Sequence, residues 1–141
     1  MMVSTKGRYA LIVMIDMAFH RDTGRISLAD ISKRQGISLK YLESITAMLV
    51  KAGYLRGSRG RGGGYILAKD PSECSVGDII KLTEGSLAPV ACLEGDEAQC
   101  PKVSECLTYP MWANLDNLID SYLGSISIQD LIDLKVTVTN K

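Results

Sequence analysis

The chain has 141 residues and equal numbers of basic and acidic side chains, a formal net charge of +0 that taken whole argues against a nucleic-acid partner. Its halves differ: residues 1–70 hold twelve Lys/Arg and five Asp/Glu, a balance of +7, while residues 71–141 hold four and eleven, a balance of −7, so only the first half is suited to face phosphate. No apolar run approaches the ~20 residues that cross a bilayer, and no small-residue cleavage site follows the first apolar stretch, so a cytoplasmic protein with reduced thiols and no membrane partner is expected.

Residues 10–19 are nearly all apolar, interrupted by Asp16, and too long for most strands, which predicts a buried helix. Asp22-Thr23-Gly24 is a turn. Ser27 is placed to cap a second helix, with Asp30 three residues on and Leu28 and Ile31 on its buried side. Gly36 suits the left-handed backbone of a sharp turn. Ser38 then caps a third helix to about Lys51, with Leu42, Ile45, Leu49 and Val50 facing inward and Lys40, Tyr41, Glu43 and Ser44 near its outward N-terminal end. Gly53 ends that helix, and residues 54–56 and 65–67 form two short strands. Between them lies a glycine-rich tip within R-G-S-R-G-R-G-G-G-Y-I-L, where glycine permits positive φ and close backbone approach. Alone, this basic stretch would read as a solvated loop. Behind a helix-turn-helix it reads as the wing of a DNA-binding module, because clustered arginines repel one another unless an anionic surface meets them.

Ser75 opens another helix to Thr83, with Asp78 three positions on. Residues 84–105 show little apolar periodicity. A helix returns over residues 107–123, with Met111, Trp112, Leu115, Leu118, Ile119, Tyr122 and Leu123 at i, i+3, i+4 spacing. So wide a stripe either folds back on its own core or crosses a symmetry mate, and the second is the reading adopted. Ser127 caps a last short helix to about Leu134. The expected architecture is mainly α with a small β-hairpin wing: a winged helix-turn-helix domain (1–83), a cysteine loop (84–106), and a long dimerisation helix followed by a short C-terminal helix (107–141).

Cys92, Cys100 and Cys106 read C-x7-C-x5-C among Glu94, Asp96, Glu97 and Glu105. Three thiols on one loop can bind a soft metal or an iron–sulfur cluster, whereas zinc sites more often carry C-x2-C pairs. The bland alternative is three unrelated thiols in an acidic loop. Cys74 stands apart and reads as a small core residue. His20, at the end of the first helix, reads as a cap before a ligand. No phosphate-binding or hydrolase motif appears, so neither an enzyme nor a small-molecule substrate is expected.

The segments S-T-K-G-R-Y-A, I-S-L-K-Y-L-E, R-G-R-G-G-G-Y-I-L, V-G-D-I-I and the cysteine trio ending in C-L-T ahead of Trp112 resemble the bacterial Rrf-type winged-helix regulator family of IscR, NsrR and CymR. The resemblance covers nearly the whole chain. It implies a homodimer on a pseudo-palindromic double-stranded operator, with an iron–sulfur cluster on Cys92, Cys100 and Cys106: 2Fe–2S first, 4Fe–4S as the alternative, and removable by preparation in air. The chain departs from the family where IscR carries a histidine ligand after its third cysteine, since Tyr109 stands there. NsrR draws an aspartate from its partner's first helix, and Arg8 occupies that neighbourhood here. Tyr109, Glu94, Asp96, Cys74 or an exogenous ligand stay open as the fourth ligand. CymR-type members lack the full trio, and a cluster-free regulator sensing thiol oxidation or a protein partner is the alternative function.

On this reading Ser38, Lys40, Tyr41 and Glu43 meet bases or phosphate in the major groove, with Glu43 accepting from cytosine. Arg59 and Arg61 enter the minor groove. Lys6, Arg8 and Tyr9 contact phosphate near the start of the first helix.

Overall fold

The computed structural model describes residues 3–58, 60, 62–94 and 102–139. Among them, six α-helices and one antiparallel hairpin follow in the order α1 (Thr5–Phe19), α2 (Leu28–Gln35), α3 (Leu39–Lys51), β1 (Leu55–Ser58), β2 (Gly64–Leu67), α4 (Val76–Glu84), α5 (Tyr109–Gly124) and α6 (Ile128–Ile132). This is a winged helix-turn-helix with a long helix behind it. No helix is long and apolar enough to cross a membrane, among the described residues.

Local chemistry sets the helix boundaries. The hydroxyls of Ser27, Ser38, Ser75 and Ser127 accept from the N–H groups of Asp30, Tyr41, Asp78 and Asp130 at 3.0–3.2 Å, each satisfying an orphan donor and contributing about 1 kcal/mol. At Ser127 the pair is reciprocal, since Asp130 Oδ2 accepts from the Ser127 N–H at 2.9 Å. Gly36 ends α2 in the left-handed region at φ 69°, where a side chain would strain the backbone. At the end of α3 the Gly53 N–H reaches the Val50 carbonyl and the Tyr54 N–H the Leu49 carbonyl, the paired bonds of a Schellman close. Helix α1 starts five residues ahead of the apolar run, because Ser4 caps it by accepting from the Gly7 N–H at 3.1 Å.

The hairpin pairs Leu55 with Leu67 and Ser58 with Gly64. Ile26 adds a bridge on its outer edge, exchanging bonds of 2.9 and 2.8 Å with Tyr65. Gly64, at φ 148°, permits this: a Cβ there would lie 2.7 Å from the Ile26 carbonyl oxygen. The wing root is therefore tied to the turn before α2 as well as to α3.

One core gathers Val13, Met14 and Met17 of α1, Ile31 of α2, Leu42, Ile45 and Leu49 of α3, Leu55, Ile79 of α4 and Ile128 of α6. Val50, expected inside, is 38% exposed, and Thr46 takes the buried position, donating its hydroxyl to the Leu42 carbonyl at 2.9 Å. The apolar arc of α3 is centred on Leu42 and Leu49, and Val50 lies about 80° round the helix from Leu42. A second cluster joins Val76, Ile80 and Leu87 to Leu11 of α1 and to Ile119 and Leu123 of α5.

Helix α6 returns to the first core. Its Ile128 is fully buried there, the Ile128 N–H donates to the Cys74 carbonyl at 2.9 Å, and the Val76 N–H donates to the Ile126 carbonyl at 2.8 Å. It packs with the N-terminal half rather than apart from it. Helix α5 has no buried residue: Ile119 and Leu123 lean on α4, while Met111, Leu118 and Tyr122 are more than half exposed.

Candidate nucleic-acid interface and cysteine loop

The junction between α2 and α3 is built on a buried carboxylate. Asp16, inside α1, is 1% exposed. It accepts from Arg34 Nη2 at 2.7 Å, Arg34 Nε at 2.9 Å and Gln35 Nε2 at 2.9 Å. His20 Nδ1 stands 3.7 Å from Oδ1 and 2.8 Å from the Asp16 carbonyl oxygen. Burial pushes the Asp16 carboxyl up, but hydrogen bonds from Arg34 and Gln35 and the guanidinium charge outweigh it, and the group lies below the usual carboxylate range. Arg34 and Gln35 are the last residues before Gly36, so this clamp fixes where the turn leaves α1 and how α3 is presented.

At the start of α3, Ser38 spends its hydroxyl on capping, leaving Lys40 and Glu43 exposed. Tyr41 is half-buried, its ring edge-on to Tyr9 with centroids 5.6 Å apart. That contact joins the first turns of α1 to those of α3. Lys6 is half-buried on α1 and Arg8 exposed, with Arg8 Nη2 donating to Thr5 Oγ1 at 3.4 Å. Lys6, Arg8, Tyr9, Tyr41, Lys40 and Glu43 thus come from two helix starts held together by one aromatic pair. On the wing, Gly60 and Gly62 have φ of 91° and 72°, and the Gly63 N–H bonds the Gly60 carbonyl at 2.9 Å in a tight tip. Arg59 and Arg61 lie outside the described residues; Arg56 on β1 is exposed.

Cys92, in a 3-10 turn over Ala91–Leu93, and Cys106 are half-buried free thiols. Cys106 stands just ahead of α5, its Sγ 3.3 Å from Thr108 Oγ1. The Thr108 hydroxyl and N–H, with the Tyr109 N–H, hold this thiol below its ordinary range. Free thiols are the donor type that iron–sulfur clusters take. Cys100 and Asp96 lie outside the described residues, and among the described residues no three His, Cys, Asp or Glu side chains gather as a metal set. Tyr109, half-buried, is the first residue of α5, and Glu94 is exposed. Cys74 is fully buried, with Sγ donating to the Asp70 carbonyl at 3.4 Å, and burial pushes its thiol up. It stands in the first core, beside Ile79 and Ile128 in the same cluster.

The Asp16 clamp, the Ile26 bridge and the contact from Ser4 to Glu84 are not among the features expected from the sequence. A lone acidic residue in the otherwise apolar run over residues 10–19 is the available signal for the first. The other two join residues far apart in the chain and leave no local pattern.

Residues 3–134 match the Rrf2 family, described as an iron-dependent transcriptional regulator. The chain is 43% identical over 133 residues to the HTH-type transcriptional regulator IscR of Photorhabdus laumondii subsp. laumondii, spanning 94% of this chain and 80% of that protein. Among solved structures, CymR, the global cysteine regulator of B. subtilis, superposes with a TM-score of 0.79 at 33% identity, covering 95% of this chain and 98% of that one. IscR of T. potens superposes at 0.73 with 34% identity, covering 99% and 94%.

Proposed function

The chain belongs to the Rrf2 family of transcriptional regulators, and from that premise we propose that it binds a double-stranded operator as a homodimer under control of an iron–sulfur cluster. The observation that carries the DNA-binding part is the joining of the α1 and α3 starts through Tyr9 and Tyr41, with α3 fixed behind by the Asp16 clamp. Two such modules related by a two-fold axis match an operator with two half-sites.

In each module the exposed start of α3 enters the major groove. Lys40 bonds phosphate or a base, Glu43 accepts from cytosine N4, and Ser38 and Tyr41 add bonds from their free polar atoms. Arg59 and Arg61 reach the minor groove, and Lys6, Arg8 and Tyr9 hold phosphates that set the register. Cys92, Cys100 and Cys106 hold the cluster, 2Fe–2S before 4Fe–4S. The fourth ligand lies among Tyr109, Glu94, Asp96, Cys74 and an exogenous group, with Cys74 requiring the core to open. When bound, the cluster supplies a centre sensitive to oxidants and to nitric oxide. The chain's own part is to order the segment between α4 and α5 around it. The regulated genes on this reading are those of cluster assembly or of a nitric oxide response.

A second reading rests on Cys106 itself. A half-buried free thiol at a helix start, lowered by its Thr108 bonds, also suits a cluster-free sensor of thiol oxidation, as does the structural likeness to CymR. Anaerobic purification followed by iron and sulfide counts separates the two. The cluster reading requires a coloured protein that a Cys92/Cys100/Cys106 triple alanine variant loses; persistence of the colour removes the ligand assignment. Selection from a pool of random duplexes tests the DNA part. Enrichment of a two-fold motif is expected, and a monomer that enriches nothing would overturn the whole reading. Arg59→Ala should flatten the salt dependence of operator binding by about 0.9 in the log–log slope per lost phosphate-neutralising contact.

A further inference from the structure

Beyond that reading, and resting on it for its signal, we propose that Glu84 latches the root of the cysteine loop to the operator-contacting start of α1. Glu84, the first residue of the cysteine loop read from the sequence, is the last residue of α4 in the structure, and Gly85 after it turns the chain with φ 75°. Its Oε1 accepts from the Ser4 N–H at 3.0 Å and from the Ser4 hydroxyl in a short bond, with Thr83 Oγ1 3.1 Å away. Ser4 is the cap of α1, so the carboxylate sits where the helix presents its unpaired N–H groups and partial positive charge. These bonds hold the Glu84 carboxyl below its ordinary range.

The packing is built for this contact. Gly7, in the first turn of α1, is buried against the end of α4, and a Cβ there would lie 2.8 Å from Glu84 Oε1 and 2.9 Å from Thr83 Oγ1. From Ser4 the path to the reading face is short. Lys6, Arg8 and Tyr9 lie within five residues of the cap, and the Tyr9 ring rests edge-on against Tyr41 of α3. The Leu11 contact with Val76 and Ile80 runs alongside and holds the two helices as one body. A rearrangement at Cys92 reaches Glu84 along the chain, and the Glu84 carboxylate is bonded to the start of α1.

The test uses full-length protein, with and without cluster reconstituted from iron and sulfide under anaerobic conditions. Wild type, Glu84→Ala, Glu84→Gln, Ser4→Asp and the Ser4→Asp/Glu84→Gln pair are compared for operator affinity, cluster absorbance and thermal melting. Allosteric couplings usually span about 5- to 150-fold, and Glu84→Ala should bring the ratio of loaded to unloaded affinity to within about twofold of one. Cluster absorbance should persist, and melting should change little. Ser4→Asp still caps the helix but opposes Glu84 with like charge, so it should lose the ratio as well, and Glu84→Gln in the same chain should restore part of it. A wild-type ratio retained in Glu84→Ala would overturn the latch. A purely structural role would lower melting and leave the ratio intact.

If wild-type protein shows no cluster or no ratio, the functional reading fails on its own. Hydrogen exchange in the unloaded protein then decides the latch. Glu84→Ala should speed exchange at the Gly7 and Arg8 amides, which bond the Ser4 hydroxyl and carbonyl, and at the start of α3. Unchanged exchange at these sites would overturn it.

Discussion

The Asp16 carboxylate and the Arg34 guanidinium form a two-pronged pair at 2.7 and 2.9 Å, the first wholly buried and the second one-third exposed. Removing one member of a buried pair leaves an uncompensated charge in the core, a larger loss than removing both. Arg34→Met should therefore destabilise the fold by about 3 kcal/mol, the low end for such pairs because the guanidinium keeps contact with water. The Asp16→Asn/Arg34→Met pair should cost less than Arg34→Met alone. Urea unfolding of the four proteins closes the cycle, and additive losses would mean that the two residues do not act as a unit.

The same clamp gives acid unfolding a direction. The Asp16 carboxyl is lowered in the folded protein, against an ordinary value of about 3.9. Its stabilisation is thus fully present above about pH 4 and is lost as pH falls through the lowered value. Asp16→Asn should be less stable than wild type at neutral pH, and the gap should narrow steadily below about pH 4. Denaturant midpoints measured from pH 2 to 7 would show this, and a constant gap would rule out the linkage.

Much of the frame was legible because its signals are local. A serine cap needs three residues and a left-handed glycine needs one, so Ser27, Gly36, Ser38, Ser75 and Ser127 mark their elements from the sequence alone. The Asp16 clamp was not legible as a clamp, because its partner lies 18 residues away and periodicity carries no information about pairing at that range. The bridge from Ile26 to Tyr65 is a single residue pair and has no period to detect. The apolar run from Ala10 marks where burial begins, not where the chain turns helical at Thr5. At the cysteines, spacing pointed to shared chemistry, but the lowering of the Cys106 thiol comes from Thr108 and the α5 start, which spacing does not encode.

Gly64 offers a test of how the wing is held. Its φ of 148° and the 2.7 Å approach of a virtual Cβ to the Ile26 carbonyl leave no room for a side chain. Gly64→Ala should break the bridge to Tyr65 and cost about 1–3 kcal/mol in strain and lost bonding. The wing should then sit less firmly against α2, and operator affinity should fall more than the affinity of Gly60→Ala, whose Cβ meets nothing within 4 Å. Equal losses in the two variants would show that the bridge does not position the wing.

Cys106 and Cys74 should separate sharply in reactivity. Hydrogen bonds from Thr108 lower the Cys106 thiol, so alkylation should proceed at a lower pH than for an ordinary thiol. Thr108→Val removes the hydroxyl, and the midpoint of the pH–rate curve should move up. Cys74, fully buried with its thiol pushed up, should react only on unfolding. Mass spectrometry of timed alkylation on protein without cluster reads both sites, and modification of Cys74 at the rate of Cys106 would contradict its burial.

The exposed side of α5 bears on the proposed dimer. Met111, Leu115, Leu118 and Tyr122 follow at i, i+4, i+7 and i+11 and form one apolar stripe, with Leu118 67% exposed. Ile119 and Leu123 on the adjoining side pack against Val76 and Ile80. A two-fold interface counts each substitution twice. Burying one leucine contributes about 1.5–3 kcal/mol, so Leu118→Glu should weaken the dimer by about 3–6 kcal/mol, enough to yield monomer at micromolar concentration. Sedimentation velocity reads the mass directly. Leu123→Glu is the control, since its side chain supports the protein's own fold and its loss should lower melting rather than alter assembly alone. A Leu118→Glu protein that stays dimeric would assign the interface to another face, because no side chain of the same chain holds Leu118 in the described structure strongly enough to bury it.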